Sequence, residues 1–328
     1  SQSWDRRNCG TRAGVRAECE VGEVMVFKSR MHAAYAMPAP LAWGKPRKPC
    51  RPGSSRADRL PCTWPAPFSV WPAHLPMLEF VAYPLLALLF VALFTREVIA
   101  PASRNHCDRR WLIMSSVIGV VTLAITLVIG HAFAGSIRAN ALWPVGERWP
   151  DVLVGLLSFV LTSFVFYWWH RATHASDRLW RMFHQLHHSG RRVEALTAFF
   201  AHPMDTAAAV LLSTLSSYWV LGASPFAAAI ALGLTGAFDL FLHSDMKTPR
   251  WLGYVIQRPE MHTVHHQYGH HAQNYGLPLW DLLFGTWSNP AQRVERLGFD
   301  DDKSERITDM LLWRDVHHDA EQQGTVTK

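Results

Sequence analysis

Cysteine is scarce in this chain of 328 residues. There are 5, and Cys9, Cys19, Cys50 and Cys62 all lie near the beginning, leaving only Cys107 for the rest. That distribution excludes a disulfide framework from the main body and suits a working face in a reducing compartment. There is no Cys-x-x-Cys and no Gly-x-Gly-x-x-Gly, so no motif provides for an iron–sulfur cluster, a haem or a flavin. Charge is also thin, at 18 % of residues. The net charge of +6 comes with no zinc finger or other nucleic-acid signature, and it suits an anionic membrane surface at least as well. Before residue 77 there is no apolar h-region, so the opening segment is not expected to be a signal peptide.

What is present is apolar and blocked. Hydrophobic residues make up 49 % of the chain, in long runs and not in an amphipathic scatter, which favours one integral-membrane domain with tails over two ordinary soluble domains. The runs predict spans over Leu78–Phe94, Trp111–Ala134 and Val152–Trp169. From Thr206 to Leu242 the apolar stretch breaks near Gly222, Ser224 and Pro225, which predicts two shorter spans or a re-entrant hairpin. The expected fold is all-α, a bundle of about four to five spans with a helical cap. Trp143, Trp149, Trp168 and Trp169 stand near span ends as an aromatic belt. Arg96, Arg104, Arg109 and Arg110 between the first two spans outnumber Arg138 and Arg148 before the third, placing the first loop, and with it every histidine motif, in the cytoplasm.

The chain divides by composition. Residues 1–76 hold half of the 20 prolines, between Pro38 and Pro76, and no helix or strand period; a disordered arm is expected there. Its 12 Lys and Arg against 5 Asp and Glu would sit on the wrong side of the membrane, so synthesis is expected to start at Met77. Residues 77–150 are read as the first two spans, 151–290 as the catalytic region and 291–328 as a cytoplasmic C-terminal tail.

Histidine carries the chemistry. Of 18 histidines, 12 lie between His170 and His271. On a helix, residues three and four apart share a face, so His170 and His174 form a pair, His184, His187 and His188 a trio, and His262, His265 and His266 a second trio. Neutral imidazole is a common ligand of iron and zinc. Eight such nitrogens exceed the roughly three or four protein ligands of a single ion and argue for two metals close together. His32, His74, His106, His131, His317 and His318 have no partner at metal spacing.

The order His-x3-His, His-x2-His-His, an isolated His243 after a hydrophobic hairpin, then His-x2-His-His resembles the fatty acid hydroxylase and sterol desaturase superfamily of membrane-bound di-iron oxygenases. Arg258-Pro259-Glu260-Met261, Asn274-Tyr275-Gly276, Trp280-Asp281 and Phe284-Gly285-Thr286 resemble that family's terminal block. The resemblance implies nine metal ligands: His170, His174, His184, His187, His188, His243, His262, His265 and His266. Asp239 stands where some members place another histidine; it could ligate iron, hold a ligand in place or pair with an arginine. His202, in a His-Pro element, reads best as a capping or supporting residue. His270 and His271 could be ligands or merely polar. Asn274 and Asp281 are candidates to hydrogen-bond ligand imidazoles.

The resemblance further implies two iron ions, replaceable by zinc, and O₂ as cosubstrate for hydroxylating or desaturating an unactivated C–H bond of a lipid. Electrons must come from outside, from a cytochrome b5-like protein or a ferredoxin with its reductase. Arg171, Arg178, Arg181, Arg191 and Arg192 could snorkel to lipid phosphates or receive such an acidic donor. The competing reading is a membrane metal-binding or metal-transport protein without oxygenase activity. Oligomeric state is not legible.

Overall fold

The computed structural model describes residues 81–104, 109–269 and 272–317. The arm at 1–76, the start at Met77, and His270 and His271 lie outside them. The described residues are nearly all helical, with a single isolated bridge between Gln267 and Leu297.

Among the described residues, four helices are long and apolar enough to cross a membrane: α1 (Ala82–Ile99), α2 (Arg109–Ala132), α4 (Asp151–Ala175) and α8 (Pro225–His243). The chain is an integral membrane protein. In α1 and α2, Leu85, Leu88, Val91, Val117, Val120 and Val128 are exposed on the bare protein, as lipid-facing side chains are, while each helix satisfies its own backbone within hydrocarbon. The short α3 (Ala134–Arg138) follows α2.

The break predicted at Gly222 is an unequal hairpin. Its first arm, α7 (Pro203–Thr214), has 12 residues, about 18 Å at the α-helical rise, and is prolonged by a π-helical turn at Leu215–Val220. Gly222 then takes φ +59°, a left-handed conformation that glycine adopts without strain. Ser224 caps α8 by accepting from the Ala227 N–H, with Pro225 in its first turn.

Between α4 and α7 lie α5 (Asp177–Leu179), a π-helical turn (Trp180–His184) and α6 (Gln185–His188); α9 (Pro259–His265) and α10 (Pro278–Phe284) follow α8. Helices α7, α8, α9 and α10 each start on a proline, whose missing N–H costs nothing at that position. The expected C-terminal tail is, through residue 317, part of the fold. It carries α11 (Asp301–Ser304) and α12 (Ile307–Leu311), and Phe299, Met310 and Val316 pack with Ile118, Leu186 and Phe200.

Hydrogen bonds fix which helix ends meet. At one end, Ala102 and Ser103 of the α1–α2 loop bond Asp245, two residues beyond His243, and Glu97 accepts from the backbone of Asp245 and Ala195. At the other, Leu142 and Trp143 donate to the carbonyls of Trp219 and Val220. The ends of α4 and α8 that carry His170, His174 and His243 therefore share a face with the α1–α2 loop.

Helices α4 and α8 pack on each other, with Val154, Ala223 and Ala227 buried together. At Gly155 a Cβ would stand 2.8 Å from the Ile230 Cβ and 2.9 Å from the Ala227 carbonyl oxygen, so a side chain must force the helices apart. Gly155→Val is expected to cost about 1–3 kcal/mol by overpacking. Gly135→Ala, where a Cβ meets nothing within 4 Å, should leave stability unchanged or raise it slightly. Thermal unfolding of the two variants in detergent, against wild type, checks both.

Candidate metal centre

The nine histidines converge, in two groups. His170, His174, His184, His188 and His265 bring one nitrogen each within 4.8 Å of one another, and so do His187, His243, His262 and His266. We call these the five-imidazole and four-imidazole clusters. The two trios do not act as units. His184 and His188 enter the five-imidazole cluster and His187 the other, while His262 and His266 enter the four-imidazole cluster and His265 the other. At about 100° per residue, position i+4 lies about 40° from i to one side and i+3 about 60° from it to the other, so within one face the two diverge by about 100°. Each i, i+4 pair thus shares a cluster, His170 with His174 included. The clusters abut where the His188 and His266 rings stack, centroids 4.2 Å apart.

The outer nitrogens determine what the inner ones can do. Nδ1 of His170 lies 2.8 Å from the Tyr275 carbonyl, that of His187 3.1 Å from the Phe200 carbonyl, that of His243 2.9 Å from the Asp239 carbonyl and that of His265 2.8 Å from the Gln273 carbonyl. Nδ1 of His184 meets a carboxylate oxygen of Asp205 at 3.0 Å. Facing an acceptor, each Nδ1 carries its ring's proton, which leaves Nε2 a bare lone pair. Yet Nε2 of His170 and of His184 are 2.8 Å apart, and those of His187 and His243 are 3.2 Å apart. Two lone pairs at that distance repel unless a cation lies between them. A proton could serve only by charging a ring, and burial, reinforced by the neighbouring imidazoles, holds His187, His188, His262 and His266 well below the usual histidine range. Two nitrogens each about 2.1 Å from one metal stand roughly 3 Å apart at a right angle. The donor set fits one metal ion in each cluster.

Residues 155–286 match the family model described as fatty acid hydroxylase. This segment is similar to the fatty acid hydroxylase family. It contains all nine histidines of the two clusters. The chain is similar to the ornithine lipid hydroxylase OlsE of Rhizobium tropici, 35 % identical over 155 residues, 45 % of each chain. It is 24 % identical to the very-long-chain aldehyde decarbonylase GL1-5 of Oryza sativa subsp. indica over 215 residues, 58 % of this chain and 32 % of that one. To the human alkylglycerol monooxygenase it is 23 % identical over 160 residues, 47 % of this chain and 34 % of that one. The matches span less than half the length of each of these relatives. No solved structure matches.

Other candidates fall outside both clusters. Asp239 is half exposed, its carboxylate 3.3 Å from Nδ1 of His243, on the side of the ring that faces away from the cluster. His202 caps α7, accepting from the Met204 N–H while its Nε2 meets the Leu311 carbonyl. Asn274 and Asp281, candidates to bond imidazoles, have other partners among the described hydrogen bonds. Asn274, at φ +56°, donates to the Met261 carbonyl and accepts from the Ser288 N–H. Asp281 accepts from the N–H groups of Tyr275 and Gly276 and from the Thr286 hydroxyl, and burial raises its carboxyl to about 6 despite those bonds. Both act one step further out, because the carbonyls they position, Gln273 and Tyr275, are the ones that hold His265 and His170. Burial also lifts the Tyr275 phenol to about 12.

Sequence reading missed Asp205 and Gln257, whose amide nitrogen lies 3.2 Å from Nδ1 of His262 and donates to the Asn274 carbonyl. Asp205 had a signal, three residues after His202 and in the first turn of a proline-started helix. The arginine patch is smaller than the sequence suggests: Arg192 is buried against Glu194 at 2.5 Å and Arg191 pairs with Asp301. His131 meets the Tyr83 hydroxyl, and His317 packs on Phe299.

His187→Ala and His265→Ala remove one donor from different clusters. Each is expected to lower metal content from near two equivalents towards one while the protein stays in the membrane, since the spans are untouched. His131→Ala should keep both. Metal analysis of detergent-purified protein reads the difference.

Proposed function

We propose that this chain is a membrane-bound di-iron oxygenase that hydroxylates or desaturates an unactivated C–H bond of a lipid. The observation that carries the reading is the pair of imidazole clusters, in which His170, His184, His187, His243 and His265 turn a bare Nε2 inward, on a segment similar to a lipid hydroxylase and a monooxygenase. The nine histidines would hold two irons, one per cluster. Iron so bound supplies the activation of O₂ that C–H cleavage requires, with electrons delivered from outside.

The chain's own groups do the rest. The carbonyls of Phe200, Tyr275, Gln273 and Asp239 and the carboxylate of Asp205 keep the Nδ1 protons outward, so the ligands stay neutral donors. Burial of the four-imidazole cluster on all sides keeps bulk water from competing. The helix ends that carry the centre put it beside the membrane surface, where an apolar chain can arrive from the bilayer. We place that surface on the cytoplasmic side, following Arg96, Arg104, Arg109 and Arg110, within reach of a soluble electron donor.

Reconstituted with iron, a reductase system and host lipid extract under ¹⁸O₂, the protein is expected to yield ¹⁸O-labelled or newly unsaturated lipid, and His187→Ala to yield none. Two bound metals with no oxygen-dependent change in any lipid would favour the metal-binding or transport reading instead.

A further inference from the structure

Each cluster has one imidazole beside a carboxylate, and the two carboxylates are not alike. In the five-imidazole cluster, Nδ1 of His184 meets Asp205 at 3.0 Å, with side chains 9 % and 15 % exposed. In the four-imidazole cluster, the Asp239 carboxylate lies 3.3 Å from Nδ1 of His243 and its side chain is 47 % exposed. There the backbone carbonyl of Asp239 already takes the proton, at 2.9 Å. His184 has no such substitute among its described hydrogen bonds, where Nδ1 meets Asp205 and Nε2 faces His170.

Asp205 is itself delivered with care. It sits in the first turn of α7, which His202 caps through the Met204 N–H, and His202 is tied to the C-terminal segment through the Leu311 carbonyl. His184 closes the π-helical turn Trp180–His184, and such turns place side chains that a regular helix would misalign. Two independently positioned elements thus meet at one largely buried carboxylate–imidazole bond.

We infer that Asp205 is a positioning residue for the five-imidazole metal, acting through His184, and that Asp239 has no comparable role in the other cluster. The inference rests on the two-metal reading above. Without the Asp205 charge, the His184 proton keeps at most a neutral amide oxygen, and an amide can also turn its NH₂ to the ring, so the ring can turn or change tautomer and its Nε2 lone pair is no longer committed inward. A carboxylate behind a metal-bound imidazole typically accounts for about 10–100-fold in metal affinity.

The test titrates the full-length, detergent-purified apoprotein with Co²⁺, reading the visible ligand-field bands and the number of equivalents bound. Wild type is expected to bind two. Asp205→Asn should retain one at wild-type affinity and bind the other about 10–100-fold more weakly, while Asp205→Glu, which keeps the charge, recovers part of the loss. Asp239→Asn should keep both equivalents within threefold. An Asp205→Asn protein that titrates like wild type overturns the inference, as does one in which both sites weaken equally. An apoprotein of Asp205→Asn that no longer elutes as a single folded species also overturns it, because the role would then be structural. Wild type that binds no Co²⁺ refutes the two-metal reading itself, a result distinct from any of these.

Discussion

The structure depends on one electrostatic conflict: five imidazoles hold their Nδ1 protons outward, and the Nε2 lone pairs of His170 and His184, and of His187 and His243, point at one another. Left without a cation, the His170–His184 and His187–His243 contacts are repulsive, and burial disfavours relieving the second by protonating His187. Everything around the centre serves to maintain that conflict. The acceptors for the outer protons come from five separate places: the Phe200, Asp239, Gln273 and Tyr275 carbonyls and the Asp205 carboxylate. Their supports, Asn274 and Asp281, touch no ligand and still decide where ligands point.

A belt of buried ion pairs lies beneath these acceptors. Arg258 pairs with Glu260 and reaches Thr248, Asn289 and Pro290; Arg293 pairs with Asp245 and donates to the Ser244 and Val193 carbonyls. Buried pairs of this kind are weak evidence for stability, because desolvation offsets much of their attraction. Their geometric effect is plainer. They hold the segments after α8 and after α10 at fixed distances from His243 and His262, where two ordinary loops would drift.

Parts of the chain outside the matched domain take part in holding it. Glu97 at the end of α1 receives the Asp245 N–H, and Trp111 at the start of α2 donates to Glu194. Beyond residue 286, Gly298 donates to the His266 carbonyl, and Gln185 exchanges hydrogen bonds with Arg314 and Val316. The residues that carry chemistry fit within 155–286, while their immobility depends on both flanks.

Much of this was legible beforehand. Long apolar runs set the spans, since a helix in hydrocarbon needs little but length and hydrophobicity, and the spacing of His170, His174, His184, His187, His188, His262, His265 and His266 marked histidines that the fold brings together. Periodicity also contained the rule that i and i+4 share a side, but reading each trio as one face concealed that i+3 turns to the other cluster. Only the tertiary structure decided which pairs from different helices join, that Asp239 stands outside while Asp205 stands against His184, and that Asn274 and Asp281 work through backbone carbonyls. The reason is physical. Local sequence fixes the direction of a side chain relative to its own helix, whereas a ligand set, and the acceptor behind each ligand, depends on how helices distant in the chain are turned and spaced against one another.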